Sequence, residues 1–418
     1  MAFEKPTPIP RTVSLLILSF IPLFLALGFL TIVLGAWLVT VGFTPQQAGA
    51  LISAQGIAVV LCSIPLGIVS DVYGRKKLLI LGNLIGTVAL LIFALTTNFW
   101  YLIGTSIGLG FAEGAAVTTW NALLADLTDE SNRNRVFSLS FIMINVTVGI
   151  GLVLPAAFPT ISSIAGISSY TIHRETLLLL SVASFISPLM FYLLLRNHRE
   201  NYNPSRKWSG LTNKATLAKL GFVGSTIGFG AGFIIPLVGA WFYYRFGVSD
   251  SYSGPILALS NILIGFSAYA SPRLATKFGQ MRAIIITTGS SMLFMLSMAF
   301  IPVFALAAGV YIVRAALMNM AGPLVDSFSM SIFPADQRGV VSAVGNVTFR
   351  LPNSISTYFG GFILGYGLLQ LPFFIASAFY IVGLGGFYLF FVASGKYSSS
   401  PKLESMKPVS EELQSELA

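Results

Sequence analysis

The stretch that decides the fold is GIVSDVYGRKK, residues 67–77, which places one aspartate and three consecutive cations between two long apolar runs. The chain has 418 residues, of which 55% are hydrophobic and 9% are charged, and its mean hydropathy is +0.82. Because a soluble domain carries about 25% charged residues, this chain cannot cover a water-facing surface. We therefore interpret the charged stretch as a turn between two membrane-spanning helices.

Apolar runs of spanning length occur along the whole chain. A spanning helix needs about 20 mostly apolar residues, and runs of that length are found at 12–40, 46–69, 78–96, 99–125, 137–159, 175–195, 216–244, 252–270, 282–300, 303–330, 340–367 and 371–394. They lack the short alternation of transmembrane β-strands. The first run follows Lys5 and Arg11 without a small-residue cleavage site, so we expect a retained helix. The sequence predicts an all-α membrane protein with twelve transmembrane helices.

The basic residues are distributed unevenly among the connections between these runs. Of the 24 Lys and Arg residues, Arg174 and Arg245 lie in one set of connections, Arg314 and Arg350 lie within runs, and all others lie near the termini or in the opposite connections. Since Lys and Arg in short loops stay cytoplasmic, we expect a multi-pass protein of the cell membrane with both termini in the cytoplasm. This distribution argues for the lipid bilayer and against nucleic acid as the partner of a chain with net charge +9.

The two parts of the chain repeat each other weakly. Residues 34–51 resemble 238–256, with Gly49 matching Gly254, and GIVSDVYGRKK aligns with PRLATKFGQMR, with Gly74 matching Gly279. We expect a six-helix bundle in 1–195, a cytoplasmic linker in 196–215, a pseudo-symmetric six-helix bundle in 216–395 and a disordered cytoplasmic tail in 396–418.

These residues closely resemble the G-x-x-x-D-x-x-G-R-K-K signature of the major facilitator superfamily, which lies between helices two and three. The duplicated six-plus-six arrangement resembles that family over the chain up to about residue 395. The resemblance implies the family fold, alternating access and a secondary transporter, not an enzyme. It also implies a cytoplasmic gate that latches the halves together, in which the turn glycines and charged residues are Gly67, Asp71, Gly74, Arg75, Asp126, Arg133 and Arg135. Thr276 and Gln280 stand where the second copy would carry the acid and the arginine, so we expect a one-sided latch.

Three ionisable residues stand deep within predicted spans, where such groups are costly and usually functional. In the family, helices one, four, seven and ten line the central cavity, which implies that Glu113 and Arg314 face each other from opposite halves. Ser106, Glu113 and Trp120 share one helix face. The alternatives are a Glu113–Arg314 pair that only locks packing and, for Arg350, a structural contact with Asn145 or a carbonyl group.

The expected function is secondary transport of a small organic solute, and the many aromatic residues of the likely cavity helices favour an apolar or amphipathic one. We expect proton-coupled efflux, as in an antiporter, by a monomer without a cofactor, with the proton gradient as its energy source. An importer of a polar or anionic metabolite, with Arg314 and Arg350 as substrate cations, remains an alternative. A non-transporting receptor or a lipid scramblase is the alternative from another class. We expect His173 and His198 to be solvated in polar connections, so no metal site is predicted.

Overall fold

The computed structural model describes residues 8–198, 213–334 and 337–394, and within these ranges every regular element is a helix. The predicted tail, 396–418, and all but the ends of the predicted linker, 196–215, lie outside the described residues. The proposed division of the chain at that linker therefore stays a prediction.

Twelve helical rods follow one another along the described ranges. They are α1 (Arg11–Thr40), α2 (Pro45–Tyr73), α3 (Arg75–Leu95), α4 (Phe99–Asp126), α5 (Glu130–Val153, continued by Leu154–Ala157 and Phe158–Ala165), α6 (Ser169–Leu195), α7 (Lys214–Phe246), α8 (Asp250–Phe278), α9 (Gln280–Met298), α10 (Phe304–Ile332), α11 (Arg338–Gly365) and α12 (Leu371–Val392). In the described part of the chain, nine helices are long and apolar enough to cross a membrane by length and composition. The predicted all-helical membrane fold is confirmed.

Short polar connections set where the helices begin. Thr44 and Gln47 form a capping box at the start of α2, in which each side chain bonds the backbone N–H of the other residue, at 3.2 and 2.9 Å. Asn98 accepts hydrogen bonds from the first N–H groups of α4. Such caps satisfy donors that have no partner within the helix, so the polar residues between apolar runs fix the helix boundaries.

The prediction for the sixth run was wrong at its start. Ser168 caps the helix by accepting a hydrogen bond from the N–H of Thr171, so α6 begins at Ser169 rather than near residue 175. His173, predicted to be solvated in a connection, therefore lies in the first turns of α6, where it is 1% exposed.

The ends of the helices fall into two groups. At one end, which we name the basic end, lie the start of α1, the α2–α3 and α8–α9 turns and the end of α6. At the other, which we name the far end, lie the connections at 41–44, 96–98, 166–168, 247–249, 299–303 and 366–370. Gly74 and Gly279, matched by the repeat, make the same turn at the basic end with φ of 97° and 82°. Glycine adopts this conformation without the penalty that other residues carry.

The first half, α1–α6, and the second half, α7–α12, touch each other mainly toward the far end. The main contacts between halves are α2 with α11 and α5 with α8. A Cβ atom built on Gly49 of α2 would lie 2.9 Å from the carbonyl oxygen of Thr357, and one built on Gly254 of α8 would overlap the carbonyl oxygen of Leu152. The two matched glycines therefore occupy equivalent close crossings, and the far end is closed.

Candidate functional site

A cavity of about 1040 Å³ lies along the first half, walled by residues of α1 to α5. Its wall is mainly apolar, and its side chains include Phe20, Phe24, Leu27, Phe137, Phe141 and Ile142. Phe141 and Ile142 of α5 are 52% and 56% exposed, because the second half does not cover them. An aromatic, apolar wall with few polar groups is typical of sites for organic ligands.

An ion pair across the two halves stands at the edge of this cavity. Arg350 of α11 donates through Nη1 to Oε1 of Glu113 on α4, at 2.7 Å. Gln55 of α2 donates to the other carboxylate oxygen at 3.4 Å. A second cavity of about 400 Å³ between the halves is lined by all three of these residues. Glu113 thus lies where the two cavities meet.

The expected facing of Glu113 and Arg314 is wrong. Arg314 is 4% exposed, and its guanidinium donates to the hydroxyl of Tyr380 on α12 at 2.9 Å. Its backbone carbonyl accepts a hydrogen bond from Ser291 of α9 at 3.1 Å. The side chain therefore points into the second half rather than into the space between halves. The position of Arg314 along α10 gives its depth but not the direction in which it points.

Trp120 lines the cavity, as expected from its shared face with Glu113. Its indole N–H donates to Oγ of Ser140 at 2.8 Å, and its ring packs edge-on against Phe20 with centroids 4.6 Å apart. Asn145 instead donates to the carbonyl of Phe141 in its own helix at 2.8 Å, so the alternative Arg350–Asn145 contact is not formed. Asn121, which the sequence analysis did not select, also lines the cavity next to Trp120.

The charged turn at the basic end is held within the first half. Arg75, the first residue of α3, forms an ion pair with Asp126, the last residue of α4. In the second half Gln280, the counterpart of Arg75, donates to the carbonyl of Leu324 on α10 at 3.0 Å. Gly67 was expected to allow a close helix approach, but a Cβ atom built there would have no neighbour within 4 Å among the described residues.

The other expected gate residues have separate surroundings. The guanidinium of Arg133 donates to the carbonyl groups of Ala125 and Thr128 at 3.4 and 3.3 Å, at the end of α4. A cation at the C-terminus of a helix favours its dipole. Arg135 is exposed, and the side chain of Asp71 lies outside the described residues. Their expected gate roles stay predictions.

The fold and the site together define a multi-pass membrane transporter with a central cavity between two helical halves. Residues 16–357 match the family model described as the Major Facilitator Superfamily. The chain belongs to this family of transporters and is not an enzyme.

Several known proteins resemble the chain. The tetracycline resistance protein, class H, of Pasteurella multocida is 29% identical over 265 residues, which are 60% of this chain and 63% of that protein. The chain thus matches about three fifths of that relative's length. Multidrug resistance protein 2 of Bacillus subtilis (strain 168) is 22% identical over 394 residues, which are 90% of this chain and 94% of that protein.

Solved structures share the fold. A bacterial homologue of the human lysosomal transporter Spinster, in an inward-facing and occupied conformation, superposes with a TM-score of 0.72 at 16% identity. The alignment covers 93% of this chain and 98% of that one. The nucleoside transporter NupG superposes with a TM-score of 0.69 at 17% identity, over 90% of this chain and 99% of that chain.

Proposed function

We propose that this transporter exports an amphipathic, largely apolar organic solute in exchange for protons. The observation that carries the proposal is the apolar cavity of about 1040 Å³ that ends at the Glu113–Arg350 pair between the halves. With the termini in the cytoplasm, the far end faces outward and is closed, and the solute enters the cavity from the cytoplasm. The proposed unit is a monomer in the cell membrane, without a cofactor.

Glu113 is the proposed proton carrier. Among the described residues that line the cavity, it is the only acid. A protonated carboxyl group loses its charge and no longer holds the guanidinium of Arg350 by charge, so one proton weakens a contact between halves. The side chains of Arg350 and Glu113 are 45% and 37% exposed. A pair this exposed contributes about 1 kcal/mol or less, so a proton or a bound solute suffices to open it.

The names of relatives support efflux of an amphipathic solute. Two of the similar proteins are a tetracycline resistance protein and a multidrug resistance protein. The importer alternative needs both arginines as substrate cations, and Arg314 is buried against Tyr380 rather than exposed to the cavity. Arg350 alone remains at the cavity, where it is engaged by Glu113.

The test is transport in proteoliposomes that carry an imposed pH gradient. Tetracycline and the lipophilic cation ethidium are the probes, and the direction of the gradient is reversed between runs. We expect the probes to move against their gradient when the proton gradient drives exchange, and Glu113→Gln to abolish this uphill movement. Glu175→Gln, the same change at an exposed carboxylate of α6, is the matched control and should transport normally.

The other outcomes overturn parts of the proposal. Uphill movement that survives in Glu113→Gln would exclude Glu113 as the proton carrier. Uphill uptake of an anionic sugar phosphate that is lost in Arg350→Gln would favour the importer. Lipid exchange between leaflets without movement of any solute would favour the scramblase.

A further inference from the structure

A buried ion pair joins the two halves at the far end. His173 of α6 and Asp250, the first residue of α8, approach with Nε2 and Oδ2 2.6 Å apart. Their side chains are 1% and 5% exposed. The sequence analysis assigned no role to either residue, and neither belongs to the cavity that ends at Glu113.

The hydrogen bonds of His173 fix the number of protons in this pair. Nδ1 lies 2.7 Å from the backbone carbonyl oxygen of Ser169. A carbonyl oxygen only accepts, so Nδ1 carries a proton. The 2.6 Å contact on the other side then needs a second proton, either on Nε2 or on the carboxyl of Asp250. In both arrangements the pair holds the same number of protons and is neutral overall.

Removal of that second proton is incompatible with the closed contact. A lone pair on Nε2 and a carboxylate oxygen of Asp250 would face each other at 2.6 Å, and a net negative charge would be buried. A buried charge without a partner is strongly unfavourable. The closed far end therefore requires the proton, and separation of α6 from α8 lets it pass to water.

The surroundings support a charged imidazole ring and reach toward the far side. The ring of Trp37 stacks on His173 with centroids 4.8 Å apart and planes at 12°, and Phe158 packs edge-on at 4.6 Å. Aromatic faces attract cations. A small cavity of about 170 Å³ has His173, Tyr170 and Arg174 in its wall, together with Thr96 and Thr97 of the far-end connection.

Few other titratable groups act on the pair. Among the described residues, α1 and α5 present aromatic rings to His173, namely those of Phe29, Trp37 and Phe158. From α6 itself, Tyr170 and Arg174 line the small cavity. Glu175 and Arg245 are the remaining charged residues near the far-end connections.

We propose that His173 and Asp250 form a second proton-binding site of the transport cycle, which locks the far gate when it holds its proton. The far gate closes with uptake of one proton from the far side and opens with its release. Because the closed state binds the proton more tightly, its population falls as pH rises. This lock goes beyond the proposed efflux and needs neither a substrate nor Glu113.

The experiment measures the width of the far end by spin labelling. Labels are placed on Ile164→Cys in the first half and Tyr366→Cys in the second, at positions that are 82% and 75% exposed, in a Cys62→Ser background. Distances are recorded between about pH 5 and pH 8, where imidazole changes charge. We expect a shift toward longer distances as pH rises, with a ratio of open to closed that changes up to about tenfold per pH unit.

Matched variants separate the lock from other sources of pH dependence. The double variant His173→Gln/Asp250→Asn keeps a hydrogen-bonding pair that does not titrate, so its distances should not respond to pH. Glu175→Gln and Glu113→Gln should respond as the parent does. A pH response retained in the double variant, or absent from the parent protein, overturns the proposal.

A spectroscopic measurement does not depend on the folding of the double variant. The chain has two histidines, so His198→Gln leaves His173 as the single imidazole for ¹⁵N NMR. At low pH we expect a protonated Nδ1, either in an imidazolium or in the neutral Nδ1–H tautomer. A neutral ring protonated only at Nε2 in the closed state contradicts the proposal.

Discussion

Two arginines show how far a single residue can be interpreted from sequence. Arg314 and Arg350 each lie eleven residues from the start of a predicted run, and both depths suggested a functional site. The structure turns Arg314 toward Tyr380 and Arg350 toward Glu113. Helices in lipid are apolar on most sides, so hydrophobic periodicity does not mark the face that meets the cavity. Depth could be predicted, and direction could not.

Replacement of Arg314 by methionine tests this difference. Among the described side chains, Arg314 has no carboxylate partner, and its Nε atom is buried without a hydrogen bond. Removal of a desolvated charge offsets the loss of one hydrogen bond to Tyr380. We expect Arg314→Met to leave the melting temperature in detergent unchanged or to raise it, by about 1–4 kcal/mol of unfolding free energy at most.

Transport activity provides the control for that variant. Arg314→Met should retain uphill transport in proteoliposomes, whereas Arg350→Met should lose its coupling to the pH gradient. If a folded Arg314→Met protein bound no tetracycline or ethidium while Arg350→Met transported normally, our assignment of the two arginines would be wrong.

At the scale of the element, most of the architecture was predictable. Apolar length and polar punctuation predicted helices close to those observed, for example 99–125 against Phe99–Asp126. The exception was α6, where the polar residues from Ser169 to Glu175 were assigned to a connection, although Ser168 caps a helix there. This error hid the buried pair of His173 and Asp250, because partners 77 residues apart have no local signal.

The crossing of α8 over α5 provides an element-scale prediction. Gly254 brings the backbone of α8 onto the carbonyl of Leu152, where a side chain would overlap the carbonyl oxygen. Gly254→Leu should therefore prevent closure and shift the Ile164–Tyr366 label distance to longer values. Gly309→Leu is the matched control, because a Cβ atom there has no described neighbour within 4 Å. Equal distances in the two variants would refute a role for this crossing.

At the scale of the whole molecule, the contacts between halves describe one state of a transport cycle. The halves meet through α2 with α11 and α5 with α8 toward the far end, while Phe141 and Ile142 remain exposed in the cavity. Two titratable pairs join the halves in this state, Glu113–Arg350 beside the cavity and His173–Asp250 at the far end. Sequence repeats indicated two halves, but the state in which they are joined depends on contacts between distant residues.

The measurement that tests the central claim most directly is the reaction of a cavity residue with a membrane-impermeant maleimide. Ile142→Cys lies on the cavity wall and Leu179→Cys lies on an exposed face of α6, both in a Cys62→Ser background. We predict that the reagent labels Ile142→Cys in vesicles that present the basic end, that labelling blocks transport, and that Leu179→Cys stays unlabelled in lipid. Failure of Ile142→Cys to react from the basic end, or equal reaction at both positions, would contradict a water-accessible cavity between the halves.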